Sequence, residues 1–343
     1  MNTKRVDVLN IFLIIISLIT AIMLPFKLFL FSYAFLGPLH YLTEITWLRD
    51  KNYFLTAHKN WALVFLVLAT LIAIAPIIIF SNIPLNPTIE HGLLILGKQT
   101  KMFLIIGFLF AISLLFLKTN KALAYALALI ILVSFFTITY VPKPFFLIGA
   151  FLPTLVHVYI FTFFFIIYGA IKSKSQLGIY LGLLLLSVPF IITYIPLDYT
   201  NYTPSKATFE KFNSLNMMGI KAFIAKVCNN FRNDVFETLS DIGVRIQIFI
   251  AFAYTYHYLN WFSKTSIIGW KASITKKSVF FIIGIWLTAV GLCIYDFKTG
   301  LIALYFLSFL HVLLEFPLNV ISIKAVMRAT KRKRISNFLK ASK

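Results

Sequence analysis

The chain has 343 residues, of which 60% are hydrophobic and 13% charged, and its 32 Lys and Arg against 11 Asp and Glu give a net charge of +21. A soluble domain carries about 25% charged residues, so the composition argues against one. The basic residues are scattered over short loops with no basic face and no aromatic–basic module, which argues against nucleic acid as a partner.

Apolar runs of about 20 residues recur along the chain, each long enough for a helix to cross about 30 Å of hydrocarbon. The alternating pattern of a membrane barrel is absent. The expected fold is all-α, a polytopic transmembrane helical bundle of about 10 spans forming one integral-membrane domain over residues 1–343. The first run, about 7–24, follows Lys4 and Arg5 like a signal peptide but has no small-x-small cleavage site, so it reads as an uncleaved anchor. Further runs follow at about 27–48, 60–80, 101–117, 121–141, 144–171 and 176–196.

A long connection, 197–240, comes next. In it Phe209, Phe212, Phe223, Val227, Phe231 and Val235 recur mostly at three- or four-residue steps, with Lys211, Lys221, Lys226 and Arg232 between them. That spacing predicts one or two amphipathic helices lying on the outer membrane surface, as a cover over the bundle or as a gate for a lipophilic molecule. Spans at about 241–262, 278–295 and 300–325 complete the set, and residues 326–343 form a basic cytoplasmic tail. Within that tail, Lys331-Arg332-Lys333-Arg334 reads as an anchor against anionic lipid.

With the N-terminus inside, the inner loops collect most of the lysine and arginine, while the short outer loops hold only Lys27, Lys98, Lys101, Lys143 and Lys298. The positive-inside rule therefore places both termini in the cytoplasm and the protein in the cytoplasmic membrane. Trp47, Tyr53, Trp61, Trp261 and Trp270 lie near span ends and are expected as interfacial anchors. Cys228 and Cys293 lack metal or redox spacing, and both fall on the outer side, which leaves a disulfide open.

Four histidines stand inside membrane-length runs: His40, His157, His257 and His311. Ionisable groups in hydrocarbon are costly and persist mainly where they face the interior of a bundle and serve a function. All four lie on spans that run from the outer to the inner side. The nearest inner basic residues follow His257 by seven positions (Lys264), His40 by nine (Arg49), His311 by thirteen (Lys324) and His157 by fifteen (Lys172). At 1.5 Å per residue the four depths spread over roughly 12 Å, a difference that tilts and kinks can close. Prolines suited to such kinks flank them: Pro38 before His40, Pro153 before His157 and Pro317 after Glu315.

Glu44 follows His40 and Glu315 follows His311 at i+4, so each acid shares a helix face with its histidine. Such acids can ligate a metal or orient an imidazole from behind. The candidate metal set is His40, His157, His257, His311, Glu44 and Glu315, a donor set suited to iron or zinc. The alternative is a network of hydrogen bonds that only locks helices together. His58 and His91 fall in predicted loops beside Lys59 and Glu90 and read as solvated. HExxH, GxSxG, P-loop and clustered histidine-box motifs are all absent.

The segment Gly37-Pro38-Leu39-His40 is similar to the glycine–proline–histidine element of the membrane dioxygenases that cleave β-carotene to retinal, the Brp/Blh family. Leu310-His311-Val312-Leu313-Leu314 resembles that family's C-terminal histidine segment. The resemblance covers these two patches and implies a multi-span bundle, histidine-bound Fe(II) and oxygen-dependent cleavage of a carotenoid-like polyene. Tyr41 stands where the family has glycine, Trp261 stands four residues after His257 where it has a second histidine, and its downstream aspartate has no counterpart.

The expectation is a multi-pass membrane protein with a histidine-ligated metal, acting as an oxygenase on a lipophilic substrate. Its competitors are a transporter or flippase that uses the same His and Glu residues for protons or substrate, and a non-catalytic assembly protein.

Overall fold

The computed structural model describes residues 3–55, 59–140, 149, 151–215, 221, 222, 224, 237–265, 267–270 and 274–341, with side chains as far as Lys331. Among the described residues all regular structure is helical. In chain order the helices are α1 Thr3–Met23, α2 Pro25–Phe31, α3 Gly37–Asp50, α4 Ala62–Phe80, α5 Pro87–Lys98, α6 Thr100–Phe116 and α7 Asn120–Tyr140. They continue as α8 Thr162–Ser173, α9 Gln176–Tyr194, α10 Lys206–Asn213, α11 Asp241–Lys264, α12 Lys276–Tyr295 and α13 Phe297–Ala341. Two π-helical segments interrupt the α pattern, Ser32–Leu36 between α2 and α3 and Leu152–Phe161 leading into α8.

Among the described residues seven helical stretches are long and apolar enough to cross a membrane, and an eighth counts if α5 and α6, bent by 49°, form one broken span. The expected runs at 27–48 and 241–262 are helical too, as α2–π–α3 and α11. They are less apolar because each carries a row of buried polar side chains: Ser32, His40, Thr43 and Glu44 on the first, Gln247, Thr255, His257 and Asn260 on the second.

The chain divides into two compact units. One comprises Val8–Thr46 and Leu184–Ser308, the other Asn2–Asp7, Trp47–Leu183 and Phe309–Lys343. In the first, α11 packs on α2 and the neighbouring π segment, and α12 packs on that same segment. Lipid is as apolar as a leucine side chain, so close packing and interhelical hydrogen bonds hold such helices together. Phe26 meets Phe212 edge-on at 5.2 Å and Phe29 meets Tyr254 at 5.1 Å. Between elements, Ser32 and Thr255 share a hydroxyl hydrogen bond of 2.7 Å, Gln247 donates to the Pro25 carbonyl at 3.0 Å, and Trp286 donates to the Phe35 carbonyl at 2.9 Å. Arg245 gives its guanidinium to the carbonyls of Ile192, Thr193 and Ile195, which satisfies the C-terminal end of α9.

In the second unit α6 packs on both α4 and α7. Gly107 brings α6 against α13: a β-carbon there would run into the Leu313 side chain. Phe108 and Phe316 meet edge-on at 5.3 Å beside this contact.

Three sequence expectations change. Trp261 is 5% exposed and Trp47 4%, so neither is an interfacial anchor. His91 is exposed as expected but lies on α5, whose start is set by Asn86 accepting from the Thr88 amide with Pro87 in the first turn. Lys221 belongs to no solvated face: it is fully buried, with its ammonium 4.3 Å from the centre of the Phe212 ring. Within the 197–240 connection, α10 is helical and buries Phe212. Phe223, Lys226, Val227, Phe231, Arg232 and Val235 lie outside the described residues, as do His58 and Cys228. Cys293 is a buried free thiol.

Candidate metal centre

Two buried clusters, one in each unit, bring the candidate residues together in pairs. In the first unit, His40 on α3 and His257 on α11 face each other with their Nε2 atoms 3.1 Å apart. Glu44, one turn along α3, places Oε2 3.1 Å from the same His40 Nε2. His40 and Glu44 are each 1% exposed and His257 is 6% exposed.

This geometry depends on the π segment Ser32–Leu36. The wider turn is followed by Gly37 and by Pro38, which has no N–H to return to the preceding turn. Ser32 in that segment is bonded to Thr255 on α11, two residues before His257, so one contact fixes the two histidine-bearing elements against each other. Gly37 also makes room for a buried pair of hydroxyls, Tyr41 and Tyr258, 3.0 Å apart. A β-carbon at Gly37 would sit 3.0 Å from the first hydroxyl and 3.3 Å from the second. The walls are aromatic: the ring centres of Tyr258 and Trp261 lie 5.0 and 5.6 Å from that of His40. Trp261 donates to the Thr43 hydroxyl at 3.1 Å, and Trp270 donates to the Thr43 carbonyl at 3.1 Å.

In the second unit, His157 and His311 face each other with Nε2 atoms 3.2 Å apart, and each is 2% exposed. His157 lies within the π segment Leu152–Phe161, where Thr154 leaves helical geometry at φ −107, ψ −105 just after Pro153. Glu315 shares the α13 face with His311, yet its Oε2 lies 3.0 Å from the Nδ1 of His157. The acid therefore sits behind the other helix's imidazole, a partnership that i+4 spacing does not reveal.

The two acids thus differ in kind. Glu44 stands at the inward nitrogen of His40, where it competes for whatever positive centre that nitrogen faces. Glu315 stands at the outward nitrogen of His157 and favours the tautomer with the proton on Nδ1, which leaves Nε2 its lone pair.

Each cluster gathers electron-pair donors that a proton or a metal ion must reconcile. Two nitrogens bound to one ion at about 2.0–2.1 Å lie roughly 2.9 Å apart at a right angle and roughly 3.4 Å apart at the tetrahedral angle. The observed 3.1 and 3.2 Å fall inside that range, so the residues fit a metal. His40, His157 and His311 are all buried, and each offers one ligand atom of the type a transition metal takes.

All six of these residues are the candidates of the sequence, and Tyr258 and Trp261 belong to its polar run Tyr254–Trp261 around His257, whose donors and acceptors suit a buried polar network. Tyr41 and Thr43 were not among the candidates, and their signal was spacing of one and three residues from His40. Compared with protein-family models, with curated proteins and with solved structures, the chain shows no match.

Proposed function

We propose that this chain is a multi-pass protein of the cytoplasmic membrane that binds iron through His40, His257, His157 and His311 and oxidises a lipophilic substrate. The observation that carries this reading is the facing of buried imidazole nitrogens at ligand-pair separation in both clusters. Ten spans with both termini inside is the topology proposed with it, since all three helical runs beyond the seven most apolar ones carry few charges.

Fe(II) held by imidazoles, with coordination positions left open, supplies oxygen chemistry when bound. The protein's own contribution is positional. Glu315 holds His157 in one tautomer, Ser32 and Thr255 hold α3 and α11 in register, and the Tyr258 and Trp261 rings keep water from His40. A carotenoid-like polyene is the specific substrate proposed, supported by the two short segments around His40 and His311 that resemble the carotene-cleaving membrane dioxygenases.

The test is metal content together with activity. Protein purified from iron-supplemented cells should carry iron and bleach a carotenoid only when oxygen is present, and His40→Ala and His257→Ala should lower both. Metal-free protein whose composition is unchanged in these variants overturns the proposal. Metal content in single and paired variants of the two clusters counts the ions.

A second reading is favoured by the His–Glu contacts themselves, because a carboxylate beside an imidazole is also the unit of a membrane proton relay. Proton-coupled uptake in vesicles that is lost in Glu44→Gln would select the transporter over the oxygenase.

A further inference from the structure

The second unit carries a lateral groove of about 790 Å³ between α4, α6 and α7, remote in sequence from every histidine of the clusters. Its body is apolar, with Leu63, Val67 and Leu71 of α4 facing Ile106 of α6 and Leu127 and Ile131 of α7. Its mouth is polar and is formed by Lys59, Asn60, Trp61 and Asn120.

Three features of the mouth identify the occupant. Trp61 donates its indole N–H to the side-chain Oδ1 of Asn120 at 3.0 Å, which ties the start of α4 to the start of α7 and leaves the side-chain N–H groups of Asn120 as donors. The exposed Lys59 ammonium adds a positive charge, and among the described residues no carboxylate lines the groove. Lys118 and Lys121, both exposed, flank Asn120 in the chain. A rim of donors and cations with no acidic side chain complements an anion.

The dimensions select the rest of the molecule. From Leu63 to Leu71 the groove follows α4 for about 12 Å at 1.5 Å per residue. That is close to one leaflet's share of a hydrocarbon core about 30 Å thick. Trp61 stands at the polar end, as indoles do at the headgroup level. Basic pockets between membrane helices are known to hold anionic headgroups on the cytoplasmic side, which is where the positive-inside reading puts Lys59.

We propose that this groove binds one anionic phospholipid of the surrounding bilayer, with its acyl chains along α4 and α7 and its phosphodiester against Lys59 and the Asn120 amide. The site is separate from the histidine clusters and stands whether or not they bind metal.

Trp61 reports on the groove directly. The full-length protein is placed in nanodiscs of phosphatidylcholine doped with a minor fraction of either brominated phosphatidylglycerol or brominated phosphatidylcholine, and bromine quenches nearby indoles. The fluorescence lost in Trp61→Phe isolates the Trp61 signal in each disc. Brominated phosphatidylglycerol should out-compete its zwitterionic counterpart at Trp61 by about fivefold, the preference one lysine near an anionic headgroup supplies. Lys59→Gln, an exposed substitution expected to leave folding intact, should lower that preference severalfold, and Val67→Trp should displace the lipid seen by native mass spectrometry. Equal quenching by the two lipids overturns the proposal, as does a preference that Lys59→Gln leaves unchanged.

Discussion

Glu315 sets its carboxylate 3.0 Å from the Nδ1 of His157, on the side of the ring opposite the nitrogen that faces His311. A carboxylate placed there favours the proton on that nitrogen. Glu315→Gln should therefore weaken iron binding by about 10- to 100-fold, the usual cost of losing a partner behind a ligating histidine. A metal titration of purified protein measures this, with circular dichroism confirming that helix content is unchanged. Affinity equal to wild type would remove Glu315 from any orienting role.

Glu44 meets the inward nitrogen of His40 and should behave differently. If it is a ligand, Glu44→Asp should lower metal content and Glu44→Gln should lower it further, with His257 still opposite His40. Elemental analysis of the two variants prepared in parallel checks the order. Identical metal content in both would assign Glu44 to proton movement.

Gly107 sits where α6 touches Leu313, two residues beyond His311. Gly107→Val inserts atoms into filled space and should cost about 1–3 kcal/mol, typical of overpacking. Thermal unfolding in detergent reads the loss. A second effect should accompany it, since displacing Leu313 moves His311 and with it metal retention. Unaltered stability would show that α6 can back away from α13.

Lys221 gives a pH dependence. Burial pushes its ammonium down to about 7 from an ordinary value of 10.5. The unfolded chain keeps that proton up to about pH 10.4, so between 7 and 10 it binds more protons than the folded chain. Stability contributed through this residue is therefore lowest below pH 7 and rises as pH increases, by at most about 1.4 kcal/mol per pH unit. Lys221→Met should be more stable than wild type at pH 6, and the gap should narrow by pH 9. A gap that stays constant across this range would place the amine in a polar environment.

Much of this architecture was readable from the order of residues, because a helix that must cross lipid writes itself as a long apolar run. Seven runs, from Thr3–Met23 to the apolar part of α13, appear where hydropathy puts them. The runs around His40 and His257 were harder, since the polar residues that build the cluster dilute the apolar signal that marks a span. The six candidate residues were visible because ionisable groups in such runs are rare. Their partners were not visible. His40 meets His257 across 217 residues of chain, and nothing local announces that Glu315 belongs to His157 rather than to His311.

Two misreadings share one cause. Trp261 lies near a span end and Lys221 lies between the apolar positions of an amphipathic pattern, and amphipathic side chains of these types bury whenever their polar tip finds a partner. Trp261 found the Thr43 hydroxyl, and Lys221 the faces of Phe26 and Phe212. The start of α5 was legible in Asn86-Pro87 with Glu90 following, a helix-start signal that the surrounding loop-like composition obscured.

The π segment Leu152–Phe161 is, in effect, a surplus residue accommodated inside a helix. Deleting one residue from Val158 to Phe161 would let the chain relax to ordinary α geometry and swing the His157 imidazole by about 100° about the axis of α8. The heading of that ring is thus recorded in chain length, a quantity that point substitutions leave untouched and that a single lost codon would erase.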